Sequence, residues 1–159
     1  MPTIHHSAIC VRDIDKSLVF WRDGLGFSIL LDERFEGDWP TLLGGPSNSL
    51  RSVFLGDPGL PGAGIVELVD LGAVQSGARA DGVAGAPATS GFLLLSVMAP
   101  VEAVLERLRT LGLGGEPRRV EVSGVAMAVV VDPDGVLVEL IDTSALDNLS
   151  RLSADGDDE

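Results

Sequence analysis

Val66-Glu67-Leu68-Val69-Asp70 returns later in the chain as Val138-Glu139-Leu140-Ile141-Asp142. In each run one glutamate stands among apolar, largely β-branched residues, which is the composition of a strand. Strand side chains alternate between two faces, so Glu67 shares a face with Ile65 and Val69, and Glu139 with Leu137 and Ile141. A second echo lies ahead of each run. Ser52-Val53-Phe54-Leu55-Gly56-Asp57-Pro58-Gly59 is answered by Ala128-Val129-Val130-Val131-Asp132-Pro133-Asp134-Gly135. Two echoes in the same order point to an internal duplication.

Working outward, the first half predicts a strand over 4–11, a helix from Asp13 or Asp15 to Asp23, and strands over 27–32, 50–55 and 65–71. Residues 34–48 are rich in Gly, Pro and Asp and read as a loop. Residues 72–90 are rich in Gly and Ala and read as a linker. The pattern then restarts, with a strand over 91–97 and an amphipathic helix over 100–111. Strands over 118–122 and 126–131 follow, then the Asp132-Pro133-Asp134-Gly135 turn and a strand over 136–141. The expected fold is α+β: two tandem βαβββ units, about 3–71 and 91–143, forming a curved mixed sheet around a cavity with the helices outside. The chain reads as a single domain over 1–143 with an acidic C-terminal tail over 144–159.

Bulk composition excludes several functions. The net charge of −13 repels phosphate backbones and anionic lipid, so neither nucleic acid nor a membrane is an expected partner. No apolar run reaches the roughly 18 residues that a membrane span needs. The N-terminal residues lack the basic and apolar regions of a signal peptide. A single cysteine, Cys10, rules out an internal disulfide, and a cytoplasmic setting is expected.

A carboxylate in an apolar row must be paired, protonated or metal-bound. On the first strand His6, Ala8 and Cys10 share a face. His6, Glu67 and Glu139 therefore form a candidate site of one imidazole and two carboxylates, a donor set suited to a divalent ion such as Mn, Fe, Co, Ni or Zn. Glu67 and Glu139 are also the candidate catalytic pair, one serving as acid while the other serves as base. His5 faces the other way and reads as an ordinary polar residue. Three residues are candidate substrate contacts: Cys10 on the face of His6, Arg51 as a carboxylate or phosphate clamp, and Trp39 in its loop. Phe54 and Trp21 read as core.

His6-Ser7-Ala8-Ile9-Cys10-Val11-Arg12-Asp13, followed by Ser17-Leu18-Val19-Phe20-Trp21-Arg22-Asp23-Gly24-Leu25-Gly26-Phe27, resembles the opening of vicinal oxygen chelate proteins. These are the glyoxalase I, bleomycin-resistance, extradiol-dioxygenase and methylmalonyl-CoA-epimerase relatives. Asp132-Pro133-Asp134-Gly135 with Val138-Glu139-Leu140 resembles the closing strand of that family, and the resemblance spans about residues 3–143. It implies four cavity positions, and His6, Glu67 and Glu139 fall on three of them. The fourth is usually a second histidine in the metal-dependent members. Aligning the second unit puts Phe92 there, on a face with Leu94 and Ser96, as an apolar wall and substrate contact. The implied divalent-metal ligand set is thus incomplete, and no organic cofactor is implied. The resemblance implies an isomerase, epimerase or lyase acting next to a carbonyl, nearest to methylmalonyl-CoA epimerase or glyoxalase-like members. A metal-free binding protein of the bleomycin-resistance type is the alternative, and extradiol ring cleavage is disfavoured by the missing histidine. A small-molecule ligand and a homodimer are the implied partners.

Overall fold

The computed structural model describes residues 1–2, 4–62, 64–72 and 91–144. The linker expected over 72–90 lies outside the described residues beyond Gly72, and the acidic tail expected over 144–159 lies outside them beyond Ser144. The chain divides into two compact units, Met1–Arg79 and Ala80–Glu159. The expected pair of βαβββ units is present, each as its own four-stranded mixed sheet. Among the described residues no helix is long and apolar enough to cross a membrane.

The first unit starts with β1 (His6–Cys10) and α1 (Ile14–Leu18). The Asp13 carboxylate accepts a hydrogen bond from the Lys16 amide at 3.0 Å and so caps α1. The helix does not stay regular to Asp23 as expected. It widens into a π-helical turn over Val19–Gly24, which rotates both Phe20 and Trp21 out of solvent. Then come β2 (Ser28–Glu36), α2 (Trp39–Leu43), β3 (Ser49–Gly56) and β4 (Ile65–Asp70).

The strand order is β1-β4-β3-β2, with β1 and β4 parallel and the other pairs antiparallel. Ile9, Leu68 and Val53 stand in one row across the sheet and are buried on the side of α1, which packs against β4. Ala8, Glu67 and Phe54 stand in the neighbouring row, on the opposite face.

Two expectations fail in the 27–48 stretch. β2 runs on to Glu36, because its backbone pairs with β3 as far as Glu36 opposite Ser49. It is an edge strand, where charged side chains such as Arg34 and Glu36 stay hydrated without breaking the ladder. The supposed loop also holds α2. The Asp38 carboxylate accepts from the Thr41 amide, Pro40 suits the first turn, and Gly44 ends the helix at φ 73°.

The second unit runs β5 (Leu95–Ala99), α3 (Val101–Thr110), β6 (Gly114–Val122), β7 (Val125–Val131) and β8 (Leu137–Asp142), in the order β5-β8-β7-β6. Val101, Val104, Leu105 and Leu108 give α3 its buried stripe. The strand expected over 91–97 begins only at Leu95. Its parallel partner β8 starts at Leu137, and pairing runs from Leu95 opposite Val138 to Ala99 opposite Asp142. Strand limits follow the partner's length as much as local apolarity, and residues 91–94 have no ladder to join. The turn before β8 is held by Asp132, which is buried. Its carboxylate accepts from the amides of Asp134 at 2.9 Å and Val136 at 2.7 Å. That turn sets the register of β8 and thereby the place of Glu139.

Candidate functional site

Glu67 projects from β4 between Ala8 on β1 and Phe54 on β3. His6 lies two residues back along β1, on the same face. Its Nε2 is 3.1 Å from Glu67 Oε2. Ser52 stands opposite Val69, one same-face step along the sheet from Glu67, and its hydroxyl donates to Glu67 Oε1 at 2.5 Å. Both oxygens of Glu67 are thereby engaged, and its side chain keeps 15% of its surface exposed. The structure thus brings two of the three sequence-level site residues, His6 and Glu67, into direct contact.

His5 does not behave as expected. It precedes β1, so strand alternation does not govern it, and its Nδ1 lies 2.8 Å from His6 Nδ1. Phe54, expected in the core, is half-buried on the site face. Its ring centroid is 5.5 Å from that of His6 and 6.3 Å from that of His5. Ser52 and Phe54 could have been found from Glu67 alone, had the β3–β4 register been readable, because both lie on its face in the adjacent strand.

In the second unit Glu139 holds the equivalent place. Ser96 on β5 faces Glu139 on β8 in a parallel pair, as Ala8 faces Glu67. The Ser96 hydroxyl donates to Glu139 Oε2. Phe92, aligned with His6 in the sequence, stands outside the ladder of the second unit. His6 is opposite Ile65, two residues before Glu67. Two residues before Ser96 stands Leu94; both Leu94 and Phe92 precede β5, and Phe92 has 56% of its surface exposed.

Arg51 also needs correction as a substrate clamp. It faces Asp70, on the helix side of the sheet and away from Glu67. Its guanidinium donates bidentately to Asp32, at 2.8 and 2.7 Å, and reaches Asp15 of α1 at 3.5 Å. Those hydrogen bonds hold the Asp32 carboxyl below the usual carboxylate range and raise the Arg51 guanidinium further. The sign for stability follows. A depressed carboxylate stabilises the fold above its unfolded value of about 3.9, and that stabilisation is lost as pH falls through the folded value. With 34% of the Asp32 side chain exposed, solvent screening limits the size of this contribution. Asp32→Asn should cost about 1 kcal/mol at pH 7 in urea unfolding. The gap between parent and variant should close below about pH 4.

Trp39 opens α2. Its indole N–H donates to the Phe35 carbonyl at 3.1 Å, and it packs on a buried cluster of Leu50, Val69 and Leu71. By strand alternation Val69 shares the face of Glu67, so Trp39 covers one end of that face. Cys10 is exposed and stands opposite Val69.

The donor set is tested for a divalent ion by what stands beside each carboxylate. His6 and Glu67 offer one imidazole nitrogen and one carboxylate, a pair that borderline divalent ions accept. Beside Glu139 the partner is instead a hydroxyl, that of Ser96. The residues fit an ion in the first unit, as a pair, and do not repeat that fit in the second. Among the described residues no group of three or more His, Cys, Asp or Glu side chains could hold a metal ion.

Comparison with known proteins gives three findings. Residues 3–140 match the family model for the Glyoxalase/Bleomycin resistance protein/Dioxygenase superfamily. The chain is 29% identical over 155 residues to the lactoylglutathione lyase-like protein terB of Aspergillus terreus, covering 93% of this chain and 79% of that one. Among solved structures, the trypanothione-dependent glyoxalase I of Leishmania major aligns with a TM-score of 0.63 at 21% identity, over 96% of this chain and 95% of that one. A glyoxalase family protein from Bacillus cereus aligns with a TM-score of 0.65 at 15% identity, over 89% of this chain and 94% of that one. At those identities the structural matches speak for the fold alone.

Proposed function

The chain belongs to the Glyoxalase/Bleomycin resistance protein/Dioxygenase superfamily, and from that membership we propose a glyoxalase-like enzyme of the isomerase, epimerase or lyase type. It moves a proton next to the carbonyl of a small organic or acyl-CoA substrate. One observation carries the reading: carboxylates at matching register in the two units have unequal partners. Glu67 has both oxygens engaged, by His6 and Ser52. Glu139 accepts one hydroxyl bond, from Ser96 on Oε2, and among the described residues its Oε1 has no partner.

Glu139 is accordingly the base. Its Oε1 takes the proton from the carbon next to the carbonyl, and the C–H electron pair moves onto the carbonyl oxygen as an enolate. Glu139 then returns the proton to carbon. Ser96 keeps the carboxylate oriented through Oε2. General acid–base transfer of this kind contributes about 10²- to 10⁴-fold. Glu67 is an anchor held in place by its two partners. His6 and Glu67 are the residues that would hold a divalent ion, and such an ion supplies Lewis-acid polarisation of a carbonyl oxygen when bound. Trp39 and Cys10 in the first unit, and Phe92 in the second, stay in this reading as candidate substrate contacts. A homodimer belongs to this reading as well.

The hydroxyl beside Glu139, where Glu67 has an imidazole, favours a second reading, a metal-free binder of the bleomycin-resistance type. The two readings separate on a panel of thiol–oxoaldehyde hemithioacetals, acyl-CoA thioesters and α-hydroxyketones. Conversion of at least one compound is expected, and tight binding with no conversion across the panel would establish the binder. Metal analysis of untagged protein should find a divalent ion that is lost in His6→Ala. Equal metal content in parent and variant would remove His6 from the metal's ligands.

A further inference from the structure

We propose that Arg118 binds an anionic group of the substrate, so that the substrate class is a short carbonyl compound bearing a carboxylate or a phosphate. This rests on Glu139 as the reacting carboxylate. Across the sheet of the second unit Ser96 faces Glu139, Glu139 faces Val129, and Val129 faces Arg118. The four residues form one row on one face. Arg118 therefore shares the face of Glu139, two strand spacings away, or about 10 Å between Cα atoms. Its neighbour Arg119 points to the other face and pairs with Glu102 of α3, at 2.9 and 3.1 Å. That pair marks the helix side, and Arg118 lies on the side the helix leaves open.

Four considerations single Arg118 out. The chain has 24 acidic and 11 basic residues, so cations find partners easily, and Arg22, Arg51, Arg109 and Arg119 all have carboxylate partners. The Arg118 side chain, like that of Arg34 in the first unit, has no ion pair or hydrogen bond among the described residues. The duplication does not account for it, because the matching residue in the first unit is Leu31, opposite Phe54. On its own strand and face it is followed by exposed Val120 and Val122, an apolar strip beside which a bidentate guanidinium–anion contact is partly desolvated and strengthened. Glu139 is the carboxylate on the same row. At about 10 Å, close to the Debye length in physiological salt, its repulsion of a second anion is largely screened. The reacting carbon at Glu139 and the anion at Arg118 must then lie within a few bonds of each other.

The test uses the full chain and reads binding without turnover. Calorimetry compares 2-oxobutyrate, its methyl ester and inorganic phosphate. The acid, or phosphate, should bind at least about tenfold more tightly than the ester, the loss expected for one charged hydrogen-bonded contact. Arg118→Gln should abolish that preference and Arg118→Lys should keep part of it. Both variants should melt with the parent, since the Arg118 side chain has no partner among the described residues. Binding of phosphate alone would assign a phosphate, and binding of the acid a carboxylate. A preference that survives Arg118→Gln, or no binding of either anion, would overturn the proposal. Glu139→Gln separates the two readings. If it keeps the anion preference while proton transfer is absent even in the parent, the reaction is wrong and the anion site stands. Proton transfer with no anion preference leaves the reverse.

Discussion

Glu139→Gln should lower kcat by about 10²- to 10⁴-fold with little change in KM. The substitution keeps the size and planarity of the side chain and keeps a carbonyl oxygen for the Ser96 hydroxyl. It removes the one property the proposed reaction uses, the ability to take up a proton and hand it back. Stability should change little, because β8 pairs through its backbone on both sides and Leu140 and Val138, not Glu139, are the fully buried side chains. Glu67→Gln is the comparison. It weakens the contact with His6 and should disturb activity through that anchor, with a smaller loss of kcat than at Glu139. Equal losses at both positions would show that the two carboxylates act as a symmetric pair. That would contradict the division of labour drawn from their partners.

Trp21→Ala should cost about 3–5 kcal/mol in unfolding free energy. Trp21 is fully buried in the π-helical turn after α1. Its ring meets Phe20 edge-on at 5.4 Å and Phe27 at 5.9 Å, so truncation leaves a cavity lined by two aromatic rings. For a domain whose total stability is about 5–15 kcal/mol the loss is a large fraction, and it should lower the melting temperature by about 10 °C or more. Urea unfolding with an unchanged slope is the measurement. Trp21→Phe should restore much of the loss by refilling the cavity. A cost below about 1 kcal/mol in Trp21→Ala would mean that the π-helical turn is not the anchor of the first unit.

What could be read from the chain is whatever duplication and strand alternation encode. The paired Val-Glu-Leu runs locate β4 and β8, and alternation sets each glutamate on the face opposite its buried leucine neighbour. The errors share one physical cause: a strand's limits and register belong to the pair. The polar end of β2 looked like loop, yet it is ladder because β3 continues beside it. Phe92 reads as the start of a strand for its apolar neighbours, yet pairing with β8 begins only at Leu95. His5 was misread because alternation was applied to a residue that precedes its strand. Ser52 and Ser96, which orient the two carboxylates, come from different neighbouring strands, β3 in one unit and β5 in the other. Strand order is absent from a one-dimensional reading, so neither serine nor Arg118 announced itself. Arg51 was conspicuous in the sequence for its charge and turned out to tie β3 to β2 and α1 on the helix side.

The most direct measurement of the central claim is solvent-proton exchange at carbon. The protein is incubated in deuterium oxide with a hemithioacetal or acyl-CoA substrate, and the hydrogen next to the carbonyl is followed by NMR. The parent chain should introduce deuterium at that carbon, and Glu139→Gln should not do so above the uncatalysed rate. Deuterium entering as fast in Glu139→Gln as in the parent would contradict the assignment of Glu139 as the base.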